Sequence, residues 1–190
     1  MREKNLDLFV LTVMIVIIMY GCHKKIDRDM GELYSKPIMV PYSKMEKREC
    51  SLYIDSVSEN KKYRILNYIE TLGCTDCELS RLAYIEKQNK KRYDLQDVEF
   101  VYIVNVPKNE SEIVYSMFRD ARIEGSVYLD TCHAFRRANP HIPDNPLFHT
   151  FVLNEQDSVV LIGDPFKNDK MESLFLKVIE REKRKVNENN

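Results

Sequence analysis

The run Val98-Glu99-Phe100-Val101-Tyr102-Ile103-Val104-Asn105-Val106 constrains this chain more than any other stretch. It is apolar almost without interruption, rich in β-branched and aromatic side chains, and closed by Pro107. A strand with one wet face alternates polar with apolar residues. One that does not alternate is covered on both faces, which calls for a largely parallel sheet with helices above and below it.

The neighbouring segments supply that setting. Residues 50–55 and 63–70 read as two strands separated by a polar turn, and 75–91 as a helix with Leu79, Leu82, Ala83 and Ile85 at near-helical spacing. After the central strand, Asn109 is placed to cap a helix over 110–121 whose apolar side is Ile113, Val114, Met117 and Phe118. Gly125 ends that segment before a short strand, 126–130. A loop with Cys132, His133, Phe135 and three prolines leads to strands 148–153 and 158–163, joined by a turn short enough for a hairpin. A last helix starts at about Asp169, with Met171, Leu174, Phe175, Leu176, Val178 and Ile179 on its inner side. The order β, β, α, β, α, β, loop, β, β, α predicts an α/β fold: a mixed central sheet with helices on both faces.

Within this order, Cys74 and Cys77 fall between the second strand and the next helix. Backbone N–H groups and the helix dipole stabilise a thiolate at a helix start, which makes one sulfur a usable nucleophile. Cys-x-x-Cys is also half of a zinc site and can be a plain structural bridge. The strand–motif–helix context favours redox chemistry. A zinc site would need two more ligands, of which His149 is the best placed, ahead of Cys132 and His133.

The chain begins with a targeting pattern. A short polar start precedes 13 apolar residues, Leu8 to Tyr20, the length of a signal-peptide core and short of a bilayer span. Gly21-Cys22 follows and then polar residues, as in a lipobox whose cysteine is acylated and becomes the first mature residue. Residues 1–21 therefore read as a lipoprotein signal peptide, 22–47 as a tether, 48–182 as the folded domain and 183–190 as a charged tail. An uncleaved signal anchor, or an ordinary signal peptide with Cys22 incidental, is the alternative. Export places the remaining cysteines, Cys50, Cys74, Cys77 and Cys132, in an oxidising compartment. Local spacing favours pairing of Cys74 with Cys77. Cys50 and Cys132, each next to a strand run, either form a second bridge or stay unpaired and buried, and the unpaired reading is favoured. A formal net charge of −1 provides no basic field for nucleic acid.

Residues 68–77 (Tyr-Ile-Glu-Thr-Leu-Gly-Cys-Thr-Asp-Cys), 148–154 (Phe-His-Thr-Phe-Val-Leu-Asn) and 159–165 (Val-Val-Leu-Ile-Gly-Asp-Pro) complete a pattern that resembles the thioredoxin fold over roughly 48–182. More narrowly it resembles thioredoxin-like lipoproteins of the TlpA/AhpC type common in Bacteroidetes. The resemblance implies a thiol–disulfide oxidoreductase of the cell envelope, tethered to a membrane and acting on protein disulfides. Cys74 would attack and Cys77 resolve, with no organic cofactor. Two departures qualify it. Thr75-Asp76 replaces the usual Gly-Pro, and the Asp76 carboxylate should raise the Cys74 pKa, giving a slower nucleophile and no strong oxidant. His149 stands where the family's cis-proline is expected, so the bond before it should be trans.

Three further side chains have both a chemical and a structural reading. His149 could tune the thiolate or shuttle a proton, but an ordinary hydrogen-bonding histidine is the favoured reading. Glu70 could accept a proton, or simply lie exposed at a strand end. Asp130 is expected to cap the turn that follows it. Two other functions remain open: a Cu(I) chaperone using Cys74, Cys77 and His149, and a non-catalytic scaffold that keeps only the fold.

Overall fold

The computed structural model describes residues 24–49, 61–70, 75–93, 95 and 97–188, together with Met14. The expected signal peptide apart from Met14, the lipidation site Cys22, the strand over 50–55 and Cys74 lie outside these residues. The side chains of Asp76 and Cys77 are likewise not described.

Among the described residues six strands form one sheet: β1 (Glu46–Glu49), β2 (Tyr63–Ile69), β3 (Val98–Asn105), β4 (Ser126–Asp130), β5 (Thr150–Leu153) and β6 (Val159–Ile162). Their spatial order is β1-β4-β3-β2-β5-β6. β2, β3 and β4 run parallel, while β1 against β4, β5 against β2 and β6 against β5 are antiparallel. The mixed sheet expected from sequence is therefore present. β3 lies inside it and is buried on both faces, as its composition required. Phe100, Tyr102 and Val104 enter one apolar core, Val101 and Ile103 the other.

The helices are α1 (24–35), α2 (Thr75–Arg92), α3 (Ser111–Asp120), α4 (Ala134–Ala138) and α5 (Asp169–Glu188). Leu79 and Leu82 of α2, Val114 and Phe118 of α3, and Phe175 and Ile179 of α5 fill the first core. The second core receives Leu33 of α1, Ile38 and Phe135 of α4. Gly125 precedes β4 where the chain crosses β3 closely. A Cβ there would sit 2.5 Å from the Phe100 carbonyl oxygen, so only glycine fits.

Several local expectations are corrected. Asn109 does not cap α3: Lys108–Glu110 form a 3-10 turn and the residue ahead of the helix, Glu110, makes no side-chain cap. Ile113 is exposed, and Val114 and Phe118 carry the buried stripe. Leu174 and Leu176 of α5 also face outward. α5 runs through to Glu188, so most of the expected tail is helical. Its alternating acids and bases are good helix formers, and pairs such as Arg184–Glu180 at 3.9 Å lie one turn apart.

The largest difference is at residues 22–47. The described part of this segment is folded, with Leu33 and Ile38 fully buried and β1 opening at Glu46, two residues ahead of the expected domain boundary. Asn139, itself fully buried, clamps the segment. Its Oδ1 accepts from the Met39 N–H at 2.8 Å, and its Nδ2 donates to the Met39 carbonyl at 2.7 Å and to the Phe135 carbonyl at 2.8 Å. The Ile38 N–H donates to the Asp157 carbonyl at 2.9 Å, and Arg64 of β2 donates to the Tyr42 hydroxyl at 3.1 Å. Asn139→Ala should lower stability by about 2–4 kcal/mol, from the lost bonds and the space left behind. Urea unfolding measures the loss, and hydrogen exchange should show the Ile38 and Met39 amides opening first.

Candidate functional site

Because β2, β3 and β4 are parallel, their last residues share one edge of the sheet. Ile69, Asn105 and Asp130 lie there, with Glu70 just beyond, and α2 begins on the same connection at Thr75, the residue after Cys74 in sequence. β5 runs antiparallel to β2 with Asn67 opposite Thr150, which brings His149 to this edge as well. The Tyr68 N–H donates to the His149 carbonyl at 2.8 Å. The fold thus gathers His149, Glu70 and the start of α2 on one edge.

α2 is held from below by a polar contact in the core. Glu86, almost fully buried, accepts from the Tyr102 hydroxyl at 3.3 Å and from the Glu124 N–H at 3.2 Å. Burial, and after it the Glu86 carboxylate, push the Tyr102 phenol well above its ordinary range. Arg81, a turn beyond the motif, donates to Asp164 at 3.0 Å, which ties α2 to the loop after β6.

His149 is 5% exposed, and no cis peptide bond occurs among the described residues, so the bond before it is trans as expected. Its Nε2 lies 2.9 Å from the Pro143 carbonyl oxygen. That oxygen can only accept, so Nε2 carries a proton and donates to it. Arg136 donates to the neighbouring Ile142 carbonyl at 2.6 Å and pairs with Asp144. Through the Nε2 bond His149 fastens the proline-containing loop to the sheet.

Asp130 is fully buried and caps α4, as expected. Its carboxylate accepts the N–H groups of Ala134 and Phe135, both at 2.8 Å, and of Cys132 at 3.3 Å. Cys132, by contrast, is exposed and unpaired. It sits in the turn beyond β4, where the buried position has already been taken by Asp130. Its Sγ lies 3.7 Å from the Lys44 carbonyl oxygen and 3.8 Å from Asp130 Oδ1. Glu70 is half-buried, and its carbonyl accepts from Asn105 Nδ2 at 3.4 Å. Among the described residues no cluster of three or more metal-ligating side chains occurs.

One side chain at this edge carries more than sequence reasoning gave it. Tyr68 is 4% exposed, packs on Phe135 and His149 with ring centroids 4.8 and 5.2 Å away, and its hydroxyl has no partner among the described residues. Burial, and then the Glu70 carboxylate, push its phenol up to about 12. The group therefore stays a neutral donor throughout the physiological range. The available signal was a tyrosine at an inward position of the last strand turn before the motif, since a buried phenol needs a partner.

No protein-family model matches this chain, and no curated protein does. Solved structures do. The solution structure of an uncharacterised thioredoxin-like protein from Porphyromonas gingivalis superposes with a TM-score of 0.51 at 18% identity, covering 76% of this chain and 92% of that one. A Mycobacterium bovis AhpC gives 0.47 at 11% identity over 76% and 89%. A domain of a possible thiol-disulfide isomerase from Cytophaga hutchinsonii gives 0.45 at 16% over 80% and 99%. The fold is thioredoxin-like, and the resemblance read from sequence holds at that level.

Proposed function

We propose that this chain is a thiol–disulfide oxidoreductase of the cell envelope, acting on protein disulfides through Cys74 and Cys77. The observation that carries the reading is the edge just described: α2 opens one residue after Cys74, where three parallel strands end and His149, Glu70 and Tyr68 converge. The Cys74 thiolate attacks one sulfur of a substrate disulfide. A mixed disulfide forms and the other substrate sulfur leaves as a thiolate. Cys77 then attacks the Cys74 sulfur, the second substrate sulfur leaves, and a Cys74–Cys77 disulfide remains. Two electrons pass to the substrate, and a partner dithiol restores the pair. Asp76 beside the thiols keeps the pair from being a strong oxidant.

The same proposal includes acylation of Cys22 after removal of residues 1–21, which would anchor the domain to a membrane. It is supported by the apolar run 8–20 and the Gly21-Cys22 step that ends it. Among the described residues no helix is long and apolar enough to cross a membrane.

The test is a redox titration of the pair against glutathione and dithiothreitol buffers. A potential between about −180 and −270 mV is expected, the range of exchange catalysts. A value below about −300 mV would mark a structural bridge and remove the catalytic reading.

A further inference from the structure

The folded state of residues 24–45 leaves little chain between Cys22 and the domain. Leu33 is fully buried in the second core, and Lys24, nine residues earlier on α1, is about 14 Å away along the helix axis. Only His23 separates Cys22 from Lys24, and the two steps reach at most ~7 Å. A free tether from 24 to 47 would have spanned up to ~80 Å. The arm is fixed at its far end by the Asn139 clamp and by Ile38.

The end of α1 nearest Cys22 projects from the domain, with residues 24–28 all exposed. Arg28 pairs with Asp29 at 3.8 Å, the arginine side chain 73% exposed and the aspartate 18%. The projecting surface carries Lys24 and Lys25 against Asp27, with Arg28 balanced by Asp29 and the exposed Ile26 between them, so its excess positive charge lies at the two lysines nearest Cys22. Cations held within a Debye length of about 8 Å from anionic headgroups are attracted to them.

We infer that the leading turns of α1 lie directly on an anionic bilayer surface, so that the domain rides against the membrane rather than swinging on a tether. The inference rests on acylation of Cys22. It fixes the orientation as well: α1 faces the lipid, and the clamp transmits that placement to the sheet.

Full-length acylated protein in phosphatidylethanolamine–phosphatidylglycerol vesicles tests this. The probe is a membrane-impermeant amine acetylating reagent, with each lysine followed by mass spectrometry. Lys24 and Lys25 should react several-fold more slowly in vesicles than in detergent micelles, while the exposed Lys87 and Lys170 should not change. A flexible glycine–serine insert of about 12 residues between His23 and Lys24, adding roughly 20 Å, should restore their rates. Equal rates in the native and insert chains, with lipid confirmed on Cys22 by intact mass, would overturn the inference and leave acylation standing. Absence of lipid mass on Cys22 would remove both. Protection that persists in micelles and grows with protein concentration would assign the surface to a second copy of the chain and also overturn it.

Discussion

Cys74→Ser is expected to reduce disulfide exchange to the uncatalysed background, whereas Cys77→Ser should accumulate a stable mixed disulfide with substrate. The two differ because the thiols act in sequence. Without Cys74 no sulfur attacks, since a serine hydroxyl at neutral pH is far less nucleophilic than a thiolate. Without Cys77 the attack still occurs, but nothing displaces the second substrate sulfur. Insulin reduction by the dithiothreitol-reduced protein measures the first effect, and non-reducing electrophoresis of Cys77→Ser with a disulfide substrate measures the second. Turnover that survives unchanged in Cys74→Ser would sink the proposed function. The exposed thiol of Cys132 is a competing source of activity, so Cys132→Ser belongs in the same experiment and should leave the rate unchanged.

Asp130→Ala should destabilise the domain by about 3–5 kcal/mol, the largest stability effect expected of a single polar side chain here. The fully buried carboxylate accepts three backbone N–H groups, and two of those, on Ala134 and Phe135, belong to buried residues. Truncation leaves these donors without a partner and opens a space beside the second core, where Phe135 packs. Asp130→Asn should cost less, because it keeps one acceptor oxygen while turning an amide N–H₂ toward the remaining donors. Chemical unfolding at pH 7 gives both values, and an Asp130→Ala loss below 1 kcal/mol would show that water reaches the freed N–H groups.

The pH dependence of the edge can be stated from Tyr68. Its phenol is pushed up from 10 to about 12 in the folded chain, so the folded state favours the protonated form. The resulting stabilisation is complete below pH 10 and is lost as pH rises toward 12.

Much of this molecule could be read from its residues. β3 announced itself through an unbroken β-branched and aromatic run, because burial on two faces leaves no polar alternation. The β5–β6 hairpin and the start of α5 were legible from turn residues and helical spacing, and the capping role of Asp130 from its place at a strand end. The arm over 24–45 was not. Its buried anchors, Leu33 and Ile38, and the partly buried Met30, Val40 and Met45 around them, are spread through a stretch broken by charges and two prolines, and its clamp, Asn139, is 100 residues away from Met39. Cys132 was misjudged for a related reason: proximity to a strand does not say which residue of the strand end takes the buried place.

The candidate site divides in the same way. Sequence named the candidate groups, since the Cys-x-x-Cys spacing before the α2 segment and a histidine at position 149 are local facts. Only the tertiary structure decided which of them meet. The antiparallel register of β5 on β2 brings His149 beside Tyr68, and the bond from Nε2 to the Pro143 carbonyl ties that ring to the proline-containing loop. Strand order and register are set by the summed burial of two cores, and no local pattern encodes that sum.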